Sequence, residues 1–319
     1  MRYLVTGGAG FVGSNLVDRL LAEGHEVDVI DDLSRGSLAN LADARATAEG
    51  ALKIHRHDIR SRDTIPLMER RAPEIVVHLA AQIDVRVSVS DPVLDAEINI
   101  VGLLNVLEGA RAAGAHKVVF ASSGGTIYGD VADDALPIRE SQPQRPLSPY
   151  GITKKASTDY LHAYRELYQL DFTSLAFANI FGPRQDPHGE AGVVAIFTQL
   201  LLDRRQCTIY GDGGQTRDYV FVDDAVDAIV RSSDRGGGLL CNIGTGVETS
   251  VLQVHDSVCR AVGVEAQPIF TSPRPGELQR SALDPGRAAM QLGWQPFTSF
   301  DEGVAQTVEW FRSQRSDPS

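Results

Sequence analysis

The sequence predicts an α/β fold built on a doubly wound parallel sheet, with a second, smaller α/β lobe. Three observations support this fold class. Short apolar runs rich in β-branched residues alternate with helical periods, a glycine-rich turn follows the first run, and the alternation stops near residue 180. Strands buried on both faces are near-continuous apolar runs. Their alternation with helices is typical of βαβ units.

The elements of the first half can be placed in order along the chain. Strands are predicted at 3–5, 27–30, 52–55, 75–78, 118–121 and 172–176, and helices at 11–23, 93–113 and 150–168 among others. Because the strands are expected to be parallel, their carboxyl ends meet at one edge, where such sheets bind ligands. The pattern predicts a Rossmann-type sheet.

The second half is organised differently, since glycine and proline turns separate shorter elements there. We expect a Rossmann domain from 1–179 plus about 220–247, and a smaller lobe from about 180–219 plus 248–315. The tail from Ser313 is expected to be disordered, with 316–319 outside both lobes.

Composition limits the classes of function. The formal net charge is −12, which argues against nucleic acid as a partner. No apolar run reaches the roughly 18 residues of a membrane span, and the first strand leaves no room for a signal peptide. Cys207, Cys241 and Cys259 show no metal-binding or disulfide pattern. We expect a cytoplasmic protein without a membrane segment or a metal.

The glycine-rich turn indicates a dinucleotide site. Gly7, Gly10 and Gly13 lie between a predicted strand and a predicted helix, where glycines permit a tight turn and close approach of a pyrophosphate. The next strand ends at Asp31, whose carboxylate can accept both ribose hydroxyls and would repel a 2′-phosphate. Arg35 is the opposing signal, because an arginine there can hold a 2′-phosphate. The prediction is NAD rather than NADP.

A tyrosine and a lysine indicate proton transfer beside this turn. Tyr150 and Lys154 are one helical turn apart, and a lysine charge is expected to lower a phenol pKa that starts near about 10. Ser123 ends a predicted strand and can orient a substrate hydroxyl toward the tyrosine. The alternatives are an exposed surface pair and serines that only cap the strand end.

These motifs resemble the extended short-chain dehydrogenase/reductases, and among them the UDP-glucose 4-epimerases of the NAD-dependent epimerase/dehydratase family. The likeness covers nearly the whole chain. The motifs that carry it are 7–13, 58–59, 78–82, Asn99, 122–129, 150–154, 178–185, 211–213, 216–220 and 274–277.

The resemblance implies two sets of binding residues besides the catalytic Tyr150, Lys154 and Ser123. It implies an NAD site of Gly7, Gly10, Phe11, Val12, Gly13, Asp31, Asp32, Leu33, Ser34, Arg35, Gly36, Asp58, Ile59, Leu79, Ala80, Ala81, Gln82, Ile83, Asn99, Ser122, Tyr150 and Lys154. It implies a nucleotide-sugar site of Ser123, Tyr150, Asn179, Gly192, Val193, Tyr210, Arg217, Arg274, Glu277 and Ser281. Arginine forks also suit a diphosphate, although either arginine alone could equally form a surface salt bridge.

One loop departs from the family pattern. The segment 123–129 is a residue longer than in many relatives, so counting back from Gly129 places Gly124 in the catalytic hydroxyl position, whereas counting along the strand places Ser123 there. We favour Ser123, with the glycine pair absorbing the insertion as a bulge and Thr126 as the alternative. The loop lacks the Asp-Glu pair of sugar 4,6-dehydratases, which disfavours dehydration.

The resemblance therefore implies an NAD-dependent UDP-sugar 4-epimerase, an isomerase acting through a transient 4-keto sugar. UDP-glucose and UDP-galactose are the expected pair, and the small Ser281 would leave room for a 2-acetamido group. A homodimer is expected through helices 93–113 and 150–168. The alternatives are a UDP-glucuronate epimerase or decarboxylase, for which Arg86 is the candidate cation, and a non-catalytic dinucleotide sensor.

Overall fold

A seven-stranded parallel sheet forms the centre of the computed structural model, which describes residues 1–188, 192–274 and 278–316. The strands of the protein are β1 Arg2–Thr6, β2 Glu26–Asp31, β3 Leu52–Arg56, β4 Ile75–His78, β5 Lys117–Ser123, β6 Asp171–Phe177, β7 Asn179–Phe181, β8 Thr208–Tyr210, β9 Thr216–Arg217, β10 Tyr219–Phe221, β11 Leu239–Ile243, β12 Thr249–Ser250 and β13 Ile269–Thr271. The strand order of the central sheet is β11-β6-β5-β4-β1-β2-β3, so the prediction of a doubly wound parallel sheet is confirmed, as are the six predicted strands.

Helices cover both faces of this sheet, and others lie in the second half of the chain. The helices of the protein are α1 Phe11–Ala22, α2 Ala42–Thr47, α3 Thr64–Arg71, α4 Val85–Ser90, α5 Pro92–Ala96, α6 Gly102–Ala113, α7 Gly124–Ile127, α8 Pro149–Tyr168, α9 Val193–Leu202, α10 Val222–Arg231, α11 Val251–Val262, α12 Gly286–Leu292 and α13 Phe300–Ser316. None of them, within the residues described, is long and apolar enough to cross a bilayer.

Alternation along the strands explains why two cores form. In β1, Tyr3 and Val5 join one buried apolar cluster, whereas Leu4 joins the cluster on the opposite face. In β4, Val77 and Val76 divide in the same way. Successive strand side chains point to opposite faces, so a sheet with helices on both sides needs apolar residues at every position.

The predicted helix 93–113 is helical throughout, with a π-helical turn that the sequence did not predict. The chain forms α5, then a π-helical turn at Glu97–Val101, then α6, without a break between them. The side chain of Asn99, in the middle of the π-helical turn, hydrogen-bonds to Gln82 in the loop after β4. Gly102, the first residue of α6, packs closely on Ile59, since a Cβ there would lie 2.6 Å from the Cδ1 atom of that side chain. Single π-helical turns of this kind are frequent at functional sites.

The predicted disorder from Ser313 is also wrong as far as Ser316, where α13 ends. Arg312 donates to the carbonyl of Val262 at 2.7 Å, and Arg315 forms an ion pair with Asp203 at 2.5 Å. These contacts attach the last turns of the helix to α9 and α11. Residues 317–319 lie outside the described ranges.

Smaller elements form a second region beside the carboxyl edge of the sheet. Strands β7 and β10 pair in parallel, β9 and β12 antiparallel, and β8 and β13 in parallel, while α9, α11 and α13 pack together. Between them the chain returns to the main sheet, where β11 pairs with β6 and α10 packs on α1.

Candidate active site

The site lies at the carboxyl edge of the sheet, at the point where the strand order reverses. From β1 the chain continues through β2 and β3 on one side, and from β4 it continues through β5 and β6 on the other. The loops after β1 and β4 therefore diverge and leave a crevice between them. Open α/β sheets bind their ligands in this crevice.

The glycine turn after β1 is built for a close ligand. Gly7 has φ +70°, and a Cβ on it would lie 2.8 Å from the backbone nitrogen of Ala80. A Cβ on Gly13 would lie 2.1 Å from the carbonyl oxygen of Gly7. Gly10 is the N-cap of α1 and offers no side chain to satisfy the first N–H groups. Those groups are the ones that bind a pyrophosphate at a helix N-terminus.

Asp31 lies beside this turn at the end of β2. It is 7% exposed, and its carboxylate accepts from the backbone N–H groups of Ala9 and Leu33, both at 2.9 Å. Burial raises its pKa, and these two hydrogen bonds oppose that rise. A Cβ on Gly36 would lie 2.8 Å from its Oδ1 atom, so the loop closes around the carboxylate. Arg35, the opposing signal for NADP, is exposed.

The other predicted cofactor residues include Asp58 and Ile59, which follow β3. Asp58 hydrogen-bonds to the guanidinium of Arg60, which lowers the pKa of the carboxyl. The side chain of Ile59 is buried against Gly102. Exposed or half-buried positions are Phe11, Val12, Asp32, Leu33, Ser34, Leu79, Ala80, Ala81, Gln82 and Ile83.

Tyr150 and Ser123 come together across the edge. Ser123 is the last residue of β5, and Tyr150 lies in the first turn of α8, which Ser148 caps by accepting from the N–H of Gly151 at 3.2 Å. Burial raises the pKa of the tyrosine to about 12, while its hydrogen bond with Ser123 lowers it and the charge of Asp95 raises it further. The phenol is therefore protonated at neutral pH in the protein itself.

Lys154 lies below the tyrosine and is also buried. Its Nζ donates to the carbonyl of Ala121 at 2.8 Å and lies 4.8 Å from the ring centroid of Phe120 and 5.7 Å from that of Tyr150. Burial lowers the lysine pKa to about 8. The sequence predicts that the lysine charge lowers the pKa of the phenol; in the protein alone burial is the dominant influence, and the pKa of Tyr150 is raised.

At the end of β5, it is the Ser123 hydroxyl that hydrogen-bonds with Tyr150. Thr126 donates to the carbonyl of Ser123 at 3.4 Å, so its hydroxyl points back into its own turn. Gly124 packs on Leu283, where a Cβ would lie 2.3 Å from the Cδ1 atom. The glycine pair, where a bulge was predicted, begins the short helix α7. Ser122, the residue before Ser123 in β5, has a buried hydroxyl with no hydrogen-bond partner among the described residues.

A polar network behind the tyrosine was missed by the sequence analysis. Asp95 is fully buried and accepts hydrogen bonds from Gln82, Asn99 and Thr153. Two signals were available: Asp95 lies one helical turn before Asn99, and Thr153 lies between the tyrosine and the lysine of the motif. Neither signal shows that the two segments meet.

The predicted nucleotide-sugar residues divide between an open cavity and the strands beside it. The guanidinium of Arg274 lies 4.0 Å above the ring centroid of Tyr210, a cation–π contact that brings two predicted residues together. The cavity measures about 880 Å³ and is lined by Tyr210, Gly211, Asp212, Gln215, Phe270, Thr271, Pro273, Arg274 and Gln279. Tyr210 and Arg274 were predicted to bind the nucleotide sugar, whereas the other seven, among them Gln215 and the exposed Phe270, were not.

The remaining predicted residues that the structure describes lie on β7, β9 and α9 and in the segment after β13. Arg217 is in β9 and donates to the carbonyl of Thr216 at 2.7 Å. Asn179 is exposed in β7, Gly192 caps α9 ahead of Val193, and Ser281 is buried. Glu277 lies outside the described residues.

Comparison with known proteins identifies the class. Residues 4–307 match the family model described as GDP-mannose 4,6 dehydratase. The chain belongs to this family of NAD-dependent epimerases and dehydratases.

Individual relatives are more specific. The chain is 52% identical over 315 residues to a UDP-glucose 4-epimerase of Mycolicibacterium smegmatis, covering 98% of this chain and 99% of the relative. It is similar to the crystal structure of a Thermotoga maritima UDP-glucose 4-epimerase with UDP-glucose, with a TM-score of 0.93, 42% identity and coverage of 99% and 100%. A Thermus thermophilus UDP-glucose 4-epimerase in complex with NAD matches with a TM-score of 0.90, 42% identity and coverage of 98% and 99%.

Proposed function

We propose that this protein is an NAD-dependent UDP-glucose 4-epimerase, an isomerase that inverts the configuration at C4 of a UDP-hexose. The observation that carries the proposal is the grouping of Ser123, Tyr150 and Lys154 at the same sheet edge as the glycine turn. Full-length similarity to proteins named for this activity supports the same reaction.

The residues of the crevice fit NAD. Backbone N–H groups at the start of α1 would hold the pyrophosphate, Gly7 and Gly13 permit the tight turn that presents these groups, and Asp31 would accept the ribose hydroxyls. Ser122, with its unpartnered buried hydroxyl, lies at the end of β5 in the same crevice. When bound, NAD supplies a reversible two-electron oxidation of the sugar C4 alcohol.

The chain's own residues move the proton. Tyr150 Oη, as phenolate, takes the proton of the 4-hydroxyl and returns it in the reverse half-reaction, and Ser123 orients the same oxygen. Lys154 provides positive charge near that phenolate while its Nζ is anchored to Ala121. Because burial raises the tyrosine pKa to about 12, the bound state must supply further stabilisation of the phenolate.

The nucleotide would be held apart from the reacting sugar. Arg274 and Tyr210 line the open cavity, and Arg217 lies in the neighbouring strand, so their guanidinium groups can bind the diphosphate. A fixed diphosphate lets the 4-keto sugar turn over and present its other face. We also propose that UDP-N-acetylglucosamine is accepted, because Ser281 is small.

We prefer a neutral sugar to UDP-glucuronate. An enzyme for the acid needs a cation near the C6 carboxylate, and Arg86 was the candidate. Its side chain is 66% exposed and lies 3.8 Å from the carboxylate of Asp84, which already offsets its charge.

A homodimer is the assembly that we propose. The helices expected at the subunit contact carry exposed apolar side chains, namely Val93, Val101, Ile152 and Leu167. Such side chains on adjacent helices are typical of an interaction surface. Sedimentation of the protein should give a dimer, and Ile152→Glu should give a monomer, whereas a wild-type monomer would contradict the proposal. We further propose a cytoplasmic location.

The function is tested by incubating the purified protein with UDP-glucose and NAD while following nucleotide sugars by chromatography and NADH by absorbance. An epimerase forms UDP-galactose without accumulating NADH. Accumulation of NADH would indicate a dehydrogenase, and no conversion would indicate a sensor. UDP-glucuronate and UDP-N-acetylglucosamine, run in parallel, define the substrate range.

A further inference from the structure

A buried carboxylate outside the proposed catalytic set connects three segments of the site. Asp95, on α5, is 0% exposed. Its Oδ1 atom accepts from Gln82 Nε2 at 3.1 Å and from Asn99 Nδ2 at 3.0 Å, and its Oδ2 atom lies 2.9 Å from Thr153 Oγ1. A buried charge is costly unless it is paired and hydrogen-bonded, so a carboxylate at this depth indicates a specific task.

The partners of Asp95 belong to separate segments of the site. Gln82 lies in the loop after β4, and its backbone N–H and carbonyl exchange hydrogen bonds with the side chain of Asn99 at 2.9 and 3.0 Å. Thr153 lies on α8, between Tyr150 and Lys154. One carboxylate thus fixes the β4 loop relative to the helix that carries the proton-transfer groups.

The charge of Asp95 also acts on both of those groups. It raises the pKa of Lys154, opposing burial, and it raises the pKa of Tyr150. Other charged groups near α5 are its cap residues Asp91 and Glu97. Asp84 and Arg86 lie at the start of α4, where the Asp84 carboxylate accepts from the N–H of Arg86 at 2.8 Å. Burial raises the pKa of Asp95 itself, and its hydrogen bonds and the lysine oppose that rise.

We propose that Asp95 is a positioning residue of this active site, whose carboxylate holds the β4 loop against α8 and sets the charge balance around Lys154 and Tyr150. It does so without touching the substrate. The inference rests on the proposed epimerase activity for its catalytic consequence, but its electrostatic part concerns the protein alone.

The electrostatic part can be measured without turnover. The chain has four lysines, Lys53, Lys117, Lys154 and Lys155, so lysine labelled at the ε-carbon gives a simple NMR spectrum. Lys154→Met identifies the resonance, which should titrate near pH 8 in the wild type. Asp95→Asn keeps the volume and removes the charge, so the titration should move to lower pH by about one unit.

Thr153→Val is the matched control, because it breaks a hydrogen bond of the same network and keeps the charge. The Lys154 titration should then stay within a few tenths of a unit, as roughly expected when no charge changes. An unchanged lysine titration in Asp95→Asn would overturn the electrostatic part.

The positioning part is tested by kinetics. Because the pKa values of both Lys154 and Tyr150 fall when the charge is removed, both limbs of the pH profile of kcat should move to lower pH in Asp95→Asn. Thr153→Val should lower kcat about tenfold with KM for UDP-glucose nearly unchanged and no shift of the profile, and Thr153→Ser should restore the rate.

These outcomes separate the possible failures. Should Asp95→Asn not fold, Thr153→Val with a wild-type kcat would still overturn the positioning role. A wild-type protein that does not convert UDP-glucose would refute the proposed function, whereas the lysine titration would still decide whether Asp95 controls the charge.

Discussion

The two parts of the candidate site, the catalytic edge of the sheet and the open cavity beside Tyr210, are constructed differently. On the sheet side, Tyr150 and Lys154 are buried, and backbone groups and a hydrogen-bonded network hold their neighbours in place. On the cavity side, Tyr210 is 38% exposed and its ring contacts the guanidinium of Arg274. The difference separates two tasks. Proton transfer needs fixed geometry and excluded water, whereas holding a nucleotide needs adaptable polar contacts.

The largest effect should come from the sheet side, in Tyr150→Phe. Removing the phenol oxygen removes the group that exchanges the proton, so kcat should fall about 10²–10⁴-fold. Tyr160→Phe, on the exposed face of the same helix, is the matched control and should keep the wild-type rate. Steady-state conversion of UDP-glucose measures both, and near wild-type turnover by Tyr150→Phe would refute the proposed mechanism.

The next largest effect is expected in the glycine turn after β1. In Gly13→Ala the new Cβ would lie 2.1 Å from the carbonyl oxygen of Gly7, so the turn must move. The free energy of unfolding should fall by about 1–3 kcal/mol, and NAD affinity should fall with it. At Gly125 a Cβ meets no atom within 4 Å, so Gly125→Ala should change neither quantity. Thermal unfolding and calorimetry would contradict this account if the two variants behaved alike.

On the cavity side, substitutions should weaken binding and leave chemistry largely intact. Arg274→Ala should raise KM for UDP-glucose about tenfold, with a much smaller change in kcat. Tyr210→Ala should do the same more weakly, and Tyr210→Phe, which keeps the ring under the guanidinium, should behave like the wild type. A fall in kcat at constant KM would show that the two sides are not separate in function.

The smallest predicted effect is a pH-dependent change in folding stability caused by the buried charge of Lys154. Burial lowers the pKa of Lys154 to about 8, so the folded state holds its proton less tightly than the unfolded state. Its buried charge therefore costs stability below pH 8, and this cost is relieved as the pH rises from 8 toward the unfolded value.

Lys154→Met should accordingly be more stable than the wild type at pH 7, by about 1–2 kcal/mol, and the difference should shrink as the pH approaches 10. Lys155→Met is the control, because Lys155 is only half-buried and donates to the carbonyl of Gln144 at 3.3 Å. Denaturant unfolding at several pH values measures both. A less stable Lys154→Met at every pH would contradict the cost assigned to this charge.

Features that depend on residues close together in the sequence could be predicted from it. The strands and the glycine turn follow from apolar runs and from the geometry of Gly7 and Gly13. Ser123 could be chosen over Thr126 by counting along β5, because a strand fixes its own register. The π-helical turn within the helix 93–113 was not predicted, because the contact that accompanies it, between Asn99 and Gln82, joins segments that are not neighbours along the chain.

Electrostatics and long-range contacts were beyond the sequence. The Tyr150–Lys154 spacing predicts their proximity but not the burial that raises one pKa and lowers the other. Asp95 was missed because its importance depends on α5 packing against α8. The cavity was found only in part, since Phe270 carries no motif and becomes relevant through its place on β13.

The most direct test of the central claim is the fate of the C4 hydrogen. UDP-glucose deuterated at C4 should give UDP-galactose that keeps the label at C4, because the hydrogen leaves and returns within one closed site while Tyr150 exchanges only the hydroxyl proton. Mass spectrometry and NMR of the product would show retention of the label without incorporation of solvent hydrogen at C4. Loss of the deuterium to water would contradict the account.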